Sequence, residues 1–146
     1  MRTENYCKKM NIDASAKRLF DAFSKELGDW WGNSHEGVSQ IGDTMTIGFE
    51  ENPSQWVFEA QELMEGKRIV LKCLLSDHQH EGLPGTIQQE WKGSQLIWEF
   101  KPIDGMTEVS FTHLGLTPEL ECFNVCEQGW DHYLGEGITR YLKLKS

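Results

Sequence analysis

The chain has 146 residues, of which 38% are hydrophobic and 25% charged, a composition typical of a globular protein with its own core. Its 23 acidic and 14 basic residues give a formal net charge of −9, so nucleic-acid phosphates and anionic membranes repel it. We therefore expect no nucleic-acid partner. Length and the absence of an internal repeat or linker predict a single domain spanning residues 1–146.

The sequence predicts a cytoplasmic protein. No stretch approaches the ~20 apolar residues of a membrane span, and residues 1–9 carry charges without the apolar run of a signal peptide. The four cysteines follow no metal or disulfide spacing that we recognise, and we expect them to be reduced thiols. They are Cys7, Cys73, Cys122 and Cys126.

The first third of the chain predicts a strand followed by short helices. Residues 5–13 alternate imperfectly between apolar and polar side chains, as in a strand. From Ser15, a good N-cap, apolar residues recur at helical spacing. Gly28 is expected to end this helix or the short turn after it, before Trp30 and Trp31.

A run of antiparallel strands follows. Residues 43–49 alternate, Asn52-Pro53-Ser54 indicates a turn, and the apolar face of the next strand is expected to run from Trp56 to Met64. Glu65-Gly66 then predicts a tight hairpin. In the strand after it, the inward-facing set is expected to be Ile69, Leu71, Cys73 and Leu75.

After a polar loop over residues 77–85, continuing irregularly through Trp91, the strands resume. Leu96, Trp98 and Phe100 share one face. Asp104-Gly105 is the strongest hairpin signal in the chain, and the strand beyond it buries Val109, Phe111 and His113.

The chain closes with a predicted long helix. Thr117 is suited to cap it and Pro118 to begin it. A single apolar stripe then recurs every three to four residues, formed by Phe123, Cys126, Trp130, Tyr133, Leu134, Ile138, Tyr141 and Leu142. Gly129, Gly135 and Gly137 lie inside this helix, where glycine is unfavourable, and they indicate close packing or a bend.

This element order predicts an α+β fold, because an antiparallel sheet with one apolar face needs a cover and the terminal helix is the only element large enough. The order and spacing of several motifs resemble the SRPBCC superfamily (START/Bet v 1-like), and within it proteins related to the C-terminal domain of the Hsp90 ATPase activator. The motifs are Ile12-Asp13-Ala14-Ser15 with Leu19-Phe20-Asp21-Ala22-Phe23, Gly66-Lys67-Arg68-Ile69-Val70, Glu90-Trp91, the run from Thr107 to His113, and Gly129-Trp130 with Tyr133-Leu134 and Tyr141-Leu142.

The resemblance implies a helix-grip fold, in which a curved antiparallel sheet wraps around a long C-terminal helix and two short helices follow the first strand. Members of that superfamily bind lipids, polyketides or other hydrophobes, and some are enzymes. The fold by itself does not determine the function. We expect a small hydrophobic ligand as the partner, no cofactor, and an oligomeric state that the sequence does not indicate.

The expected ligand-binding residues lie on the facing sides of the sheet and the helix. They are Trp56, Phe58, Trp98, Phe100, Phe111, His113, Phe123, Cys126, Trp130 and Tyr133. Apolar and aromatic side chains with a few polar groups are the usual lining of a small-molecule pocket. The alternative is a filled core, since aromatic stripes usually serve packing.

Two further functions remain open. An enzyme of the same fold would act on a hydrophobic carbonyl compound, with His113, Glu62 or Tyr133 in acid–base roles. His113 can equally be a neutral, hydrogen-bonded core residue, and Glu62 can lie at a strand end or bulge. A protein-interaction domain related to Hsp90 co-chaperones is the other alternative, and it would use the outer surface.

The remaining polar clusters are not assigned a site. His78 and His80 lie in one short polar loop, where we expect solvated side chains rather than metal ligands. Cys122 and Cys126 are one helical turn apart and can contact the same partner. Cys126 is expected to behave as a small buried hydrophobe, and the alternative is a nucleophile with His113 as its base. We therefore predict no catalytic residue and no metal site.

Overall fold

The computed structural model describes residues 5–31, 36–49, 52–78, 82, 85–118 and 120–144. Six strands form one antiparallel sheet in the order β1-β6-β5-β4-β3-β2. The strands are β1 (Tyr6–Ile12), β2 (Thr44–Phe49), β3 (Asn52–Met64), β4 (Arg68–Asp77), β5 (Gln95–Ile103) and β6 (Met106–Leu114).

Helices flank this sheet in the predicted places. Two short ones, α1 (Ala16–Phe23) and α2 (Leu27–Trp30), follow β1, and a 3-10 helix spans Gly85–Gln89 between β4 and β5. The C-terminal helix, residues 123–144, consists of α3 (Phe123–His132), a π-helical turn (Tyr133–Gly137) and α4 (Ile138–Leu144). The sheet curves around this helix, which confirms the α+β helix-grip prediction.

The helix α1 shows how the local sequence and the core agree. The Ser15 hydroxyl accepts a hydrogen bond from the Arg18 amide, as an N-cap does. Leu19, Phe20, Ala22 and Phe23 are all buried, because residues three and four apart share one face of a helix. The ring of Phe23 lies 5.3 Å from that of Trp98 on β5, so this face packs against the sheet.

Two tyrosines attach the C-terminal helix to the rest of the fold. The Tyr6 hydroxyl on β1 donates to Asp131 at 2.5 Å, and that of Tyr141 donates to Glu26, just before α2, also at 2.5 Å. Burial is the main cause that raises the pKa of both phenols above the usual value. Both therefore remain protonated donors at neutral pH, and they anchor the helix on either side of its π-helical turn.

The predicted hairpins are confirmed. Asp104 and Gly105 have φ angles of 47° and 81°, the left-handed values that a two-residue turn between twisted strands needs. Gly66 also has a positive φ, of 71°, in the turn between β3 and β4.

Two β-bulges make part of the strand prediction wrong. The register between β3 and β4 shifts after Ala60 and again after Val57, so that Gln61 on β3 and Leu74 on β4 are extra residues. An extra residue reverses the faces of the residues beyond it. Met64 and Leu75, which we predicted to point inward, are therefore exposed.

The same reversal turns the end of β4 inward. Beyond Leu74, Ser76 and His78 are buried. The prediction of a solvated His78 is therefore wrong. Its partner in the predicted polar loop, His80, lies outside the described residues, together with residues 79, 81, 83 and 84.

The C-terminal helix begins later than predicted. Thr117 and Pro118 lie in turns, and α3 starts at Phe123. The Glu90 carboxylate accepts hydrogen bonds from the backbone amides of Glu121 and Cys122, each at 3.0 Å. A side chain distant in sequence thus satisfies amides that a local cap would otherwise serve.

Smaller differences concern turns and glycines. Gly28 lies inside α2 rather than ending a helix, and Asn52-Pro53-Ser54 begins β3 instead of forming a turn. Of the interior helix glycines, Gly135 and Gly137 belong to the π-helical turn. Only at Gly137 would an added Cβ be crowded, at 3.3 Å from the Tyr133 ring. No helix in the described part of the chain is long and apolar enough to cross a membrane.

Candidate functional site

The residues that the sequence singled out converge between the sheet and the C-terminal helix. Eight of them are buried there, namely Trp56, Phe58, Trp98, Phe100, Phe111, His113, Cys126 and Trp130. Phe123 and Tyr133 are partly buried and pack against the same core. The apolar faces of β3, β5 and β6 meet the apolar stripe of the C-terminal helix because the sheet wraps around that helix.

Trp130 on α3 lies at the centre of this interior. Its ring lies 4.5 Å from that of Phe111 and 4.7 Å from that of Trp31. The Trp91 ring is stacked parallel to it at 5.9 Å. Such offset or tilted pairs are the favourable geometries for aromatic rings.

Three buried tryptophans were not among the expected lining residues. Trp30 and Trp31 follow α1, and Trp91 follows the 3-10 helix. All three are buried in the core. Large apolar side chains in otherwise polar connecting segments are the sequence signal that could have placed these tryptophans among the expected interior residues.

His113 on β6 has both ring nitrogens engaged. The Trp130 indole N–H donates to Nδ1 at 3.1 Å, so Nδ1 is an acceptor and the ring proton resides on Nε2. Nε2 then donates to the Ser94 hydroxyl at 2.9 Å, which in turn donates to the backbone carbonyl of Trp91 at 2.6 Å. The hydrogen bonds thus form one continuous chain from the helix to the sheet.

Burial lowers the pKa of His113 from 6.5 to about 3, because desolvation penalises the charged ring. The histidine is therefore neutral at physiological pH. A general base needs a free nitrogen lone pair, and the only one of this tautomer accepts from Trp130. The geometry thus makes His113 a structural hydrogen-bonding residue.

The other acid–base candidates lie in different surroundings. Glu62 follows the β3 bulge, is 38% exposed at its side chain, and pairs with the Arg68 guanidinium at 3.3 Å, which confirms a solvated bulge position. Tyr133 begins the π-helical turn, and burial raises the pKa of its phenol. Neither residue hydrogen-bonds to His113, whose two ring nitrogens are taken by Trp130 and Ser94.

One buried donor in this interior lacks a partner. The Trp98 side chain on β5 is fully buried, and its indole N–H meets no hydrogen-bond acceptor among the described residues. Leaving such a group unsatisfied costs about 1–3 kcal/mol. Its surroundings are aromatic, with the rings of Phe23 and Phe111 at 5.3 and 4.9 Å.

A second polar cluster lies where β4 ends against the start of α3. Cys122, Cys126 and His78 are buried, and one ligand atom from each lies within 4.8 Å of the other two. The Cys126 thiol donates to the Cys122 sulfur at 3.0 Å. This hydrogen bond, followed by burial, raises the pKa of the Cys122 thiol. The histidine that meets the two cysteines is therefore His78 and not His113.

Comparisons with known proteins agree with this architecture. The sequence model of the family described as "Activator of Hsp90 ATPase homolog 1-like protein" matches residues 13–143. No curated protein sequence matches the chain significantly.

Solved structures with similar folds include the Aha1 dimer from Colwellia psychrerythraea, which is 20% identical with a TM-score of 0.69, the match covering 89% of this chain and 90% of that one. A protein from Mesorhizobium loti is 14% identical with a TM-score of 0.73 and coverages of 97% and 99%. An HSP90 activator from Plasmodium falciparum is 17% identical with a TM-score of 0.62 and coverages of 92% and 96%.

At such identities the structural matches show the fold alone. The family match, however, extends over nearly the whole chain, from Asp13 before α1 to Lys143 in α4. It includes the strands and the helix that enclose the aromatic interior and His113. The chain therefore belongs to the family of Activator of Hsp90 ATPase homolog 1-like proteins, within the SRPBCC superfamily.

Proposed function

We propose that this protein binds a small hydrophobic ligand, lipid- or polyketide-like, between the sheet and the C-terminal helix, acting as a single cytoplasmic domain. The fold family commonly binds such ligands. Apolar rings with a few polar groups are the usual lining of a small-molecule site. The ligand-contacting residues of the proposal are Trp56, Phe58, Trp98, Phe100, Phe111, His113, Phe123, Cys126, Trp130 and Tyr133.

The observation that carries the proposal is the indole N–H of Trp98. It is a buried donor in an apolar interior, without an acceptor among the described residues. A ligand carbonyl or hydroxyl oxygen placed beside it would remove the cost of about 1–3 kcal/mol for the unsatisfied group. The preferred ligand is therefore a hydrophobe that carries one hydrogen-bond acceptor.

Entry of a ligand requires the rings around Trp130 to separate from the sheet. The C-terminal helix has a π-helical turn over Tyr133–Gly137, a feature frequent at functional sites. Gly135 and Gly137 within that turn lower its helix propensity. This turn is the point at which the helix would bend away from the sheet.

Two measurements test the proposal. Native mass spectrometry of protein purified from its own host, followed by organic extraction, should detect a stoichiometric hydrophobic adduct. Quenching of tryptophan fluorescence by oleic acid then serves as a binding titration. Trp98→Phe keeps the aromatic ring and removes the donor, so it should weaken oleic-acid binding about tenfold, the equivalent of one hydrogen bond of about 1.4 kcal/mol.

The matched control is Trp30→Phe, which also removes a buried indole N–H, but one that already donates to the Ala22 carbonyl at 2.7 Å and lies outside the proposed ligand contacts. It should leave the affinity within about twofold, since the ligand acceptor lies at Trp98. Absence of an adduct, together with no quenching by oleic acid or a panel of aromatic polyketides, would contradict the proposal.

A second candidate function, a chaperone-interaction role, is favoured by the family description and by the structural similarity to an HSP90 activator from Plasmodium falciparum. It requires a filled interior and contacts on the outer surface. The exposed Leu75 on β4, which the bulge directs outward, would be such a contact. Stimulation of the ATPase of the host's own Hsp90, lost in Leu75→Lys, would support this role over ligand binding.

A further inference from the structure

Three side chains with good metal-ligating atoms meet at the junction of β4 and α3. One atom from each of His78, Cys122 and Cys126 lies within 4.8 Å of the other two. The three residues are buried, with His78 only 5% exposed. We propose that His78, Cys122 and Cys126 form a binding site for a thiophilic metal ion, Zn²⁺.

Two separate structural features create this arrangement. The bulge at Leu74 reverses the faces of β4, so that His78 points into the interior instead of toward solvent. Cys122 is the N-cap residue of α3 and Cys126 lies one turn further on, with its amide donating to the Cys122 carbonyl at 2.9 Å, which places both thiols on the same side of the helix. The site therefore joins the end of the sheet to the start of the C-terminal helix.

The ligand set suits zinc. Two thiolates and one neutral imidazole are a common donor combination for this ion, and three protein ligands leave a fourth tetrahedral position open. Two thiolates neutralise the charge of a divalent cation, which a buried site requires. Binding forms two Zn–S bonds and one Zn–N bond and releases the two thiol protons to the solvent.

The state of His78 supports a missing ligand. Its Nδ1 atom is buried and has no hydrogen-bond partner among the described residues. Buried polar side-chain atoms nearly always have a partner. By contrast, the other buried histidine, His113, has partners at both nitrogens. The His78 side chain also hydrogen-bonds with the Cys122 thiol, so the ring already faces the sulfurs that a metal ion would bind.

The surroundings already hold the ligands in place. The Trp91 indole N–H donates to the Cys126 sulfur at 3.2 Å, an outer hydrogen bond of the kind that stabilises a metal-bound thiolate. The His78 backbone amide donates to the Gln88 carbonyl at 3.0 Å, which attaches it to the 3-10 helix. The Trp56 ring, 5.2 Å from that of His78, excludes water from one side.

Only a small adjustment is needed to admit the ion. The two sulfurs are 3.0 Å apart, whereas two sulfurs on a tetrahedral zinc ion are separated by about 3.8 Å, given Zn–S bonds of about 2.3 Å. The difference is less than about 1 Å, and rotation of the two cysteine side chains about χ1 is the simplest way to accommodate it. The helix and the strand end can therefore retain their places.

The first experiment uses Co²⁺ as a spectroscopic substitute for Zn²⁺. The full-length protein, reduced and stripped of metal, should bind one Co²⁺ per chain, with a thiolate-to-cobalt charge-transfer band and intense visible bands of tetrahedral cobalt. Zn²⁺ should displace the cobalt stoichiometrically. Cys122→Ser, Cys126→Ser and His78→Asn should each abolish or shift the charge-transfer band, with folding checked by circular dichroism.

Two variants separate a built site from adventitious thiol binding. Cys7→Ser removes the exposed thiol on β1 and should leave the cobalt spectrum and the affinity unchanged. Trp91→Phe keeps the ring, removes the N–H donor to Cys126, and should weaken zinc affinity by about 10–100-fold. A purely structural role for Trp91 would lower stability and leave the affinity unchanged.

The proposal fails under defined outcomes. It is overturned if the reduced protein gives no cobalt charge-transfer band, or if the Cys122→Ser/Cys126→Ser double variant binds with unchanged affinity. Binding of Cu⁺ without binding of Zn²⁺ or Co²⁺ would overturn the assignment to zinc. A Cys122–Cys126 disulfide that persists in excess phosphine reductant would also overturn the proposed zinc site, since a disulfide cannot supply two thiolates.

Discussion

Two buried histidines in this fold have opposite surroundings. His113, near the end of β6, accepts from Trp130 and donates to Ser94, so it completes a hydrogen-bond chain between helix and sheet. His78, beyond the bulge of β4, has a buried Nδ1 with no partner among the described residues. Burial of a histidine is therefore not by itself a sign of function, and the decisive observation is whether its nitrogens are already satisfied.

The two histidine regions therefore have different roles, one structural and one suited to ligand binding. The His113 region is a fully satisfied network that holds the sheet and the helix together. The His78 region has two thiols and a free ring nitrogen within reach of each other, which is the arrangement that an ion can use. The following predictions test that difference, from the largest expected effect to the smallest.

Trp130→Ala should cause the largest loss of stability. It removes the central ring of the interior and the donor to His113, and truncation of a buried tryptophan costs about 3–5 kcal/mol. Urea unfolding followed by circular dichroism measures this loss. Trp130→Phe, which keeps most of the ring volume, should cost about 1–3 kcal/mol for the orphaned His113 nitrogen. A negligible cost for Trp130→Phe would contradict the role assigned to the hydrogen bond.

His113→Leu and His78→Leu should differ in metal-free protein. The first leaves the Trp130 N–H buried without an acceptor, so it should destabilise by about 2–3 kcal/mol. The second removes one hydrogen bond, to the Cys122 thiol, and a ring nitrogen, Nδ1, that has no partner in the described structure, so it should cost less, about 1 kcal/mol. Urea unfolding in the presence of a chelator gives both values.

Added Zn²⁺ gives a second comparison of the His113→Leu and His78→Leu variants with the wild-type protein. The wild-type protein and His113→Leu should gain stability when zinc is added, because a ligand that binds only the native state stabilises it. His78→Leu should gain little. An equal gain in all three proteins would show that zinc binds elsewhere.

Acid should weaken the His113 region. The folded pKa of His113, about 3, lies below its usual value of 6.5, so between these pH values only the unfolded state binds the proton. Stability is therefore complete above pH 6.5 and falls toward pH 3, by up to about 1.4 kcal/mol per pH unit. The free energy of unfolding, compared at pH 7 and pH 5, should fall more in the wild type than in His113→Leu. Identical pH dependence would contradict the neutral, buried state.

Glu90→Gln should have a small effect. The carboxylate accepts from two backbone amides at the start of α3, and its charge also favours this helix terminus, so its loss should cost about 1 kcal/mol. Thermal unfolding measures the change. Glu121→Gln removes an exposed charge at the same terminus without removing the cap, and it should cost less. The Trp130–His113 hydrogen bond should be unaffected in both variants.

The described elements show which parts of the fold follow from local pattern. The faces of β5 and β6, with Trp98, Phe111 and His113 inward, were predicted because alternation has a period of two residues and no bulge interrupts these strands. The N-cap at Ser15 and the turn at Asp104-Gly105 were also predicted correctly. Each depends only on residues that are adjacent in the chain.

The errors have a common cause as well. The bulges at Gln61 and Leu74 arise from pairing between β3 and β4. The polar Glu62 on an apolar face indicated a possible bulge in β3, whereas no feature of β4 taken alone marks Leu74 as an extra residue. The late start of α3 depends on Glu90, which lies 31 residues before Glu121 in the chain. Contacts between distant residues decided these positions, and single-sequence patterns do not contain them.

By itself, the sequence determined the element order, the apolar faces and hence the helix-grip fold, because propensity and periodicity act over a few neighbouring residues. Only the tertiary structure decided which polar groups meet inside. It paired His113 with Trp130 and Ser94, and it brought His78 to Cys122 and Cys126 through a bulge. The sequence gives the chemistry of each side chain, but a site also requires short distances between residues that are far apart in the chain. Those distances are set when the sheet closes around the helix.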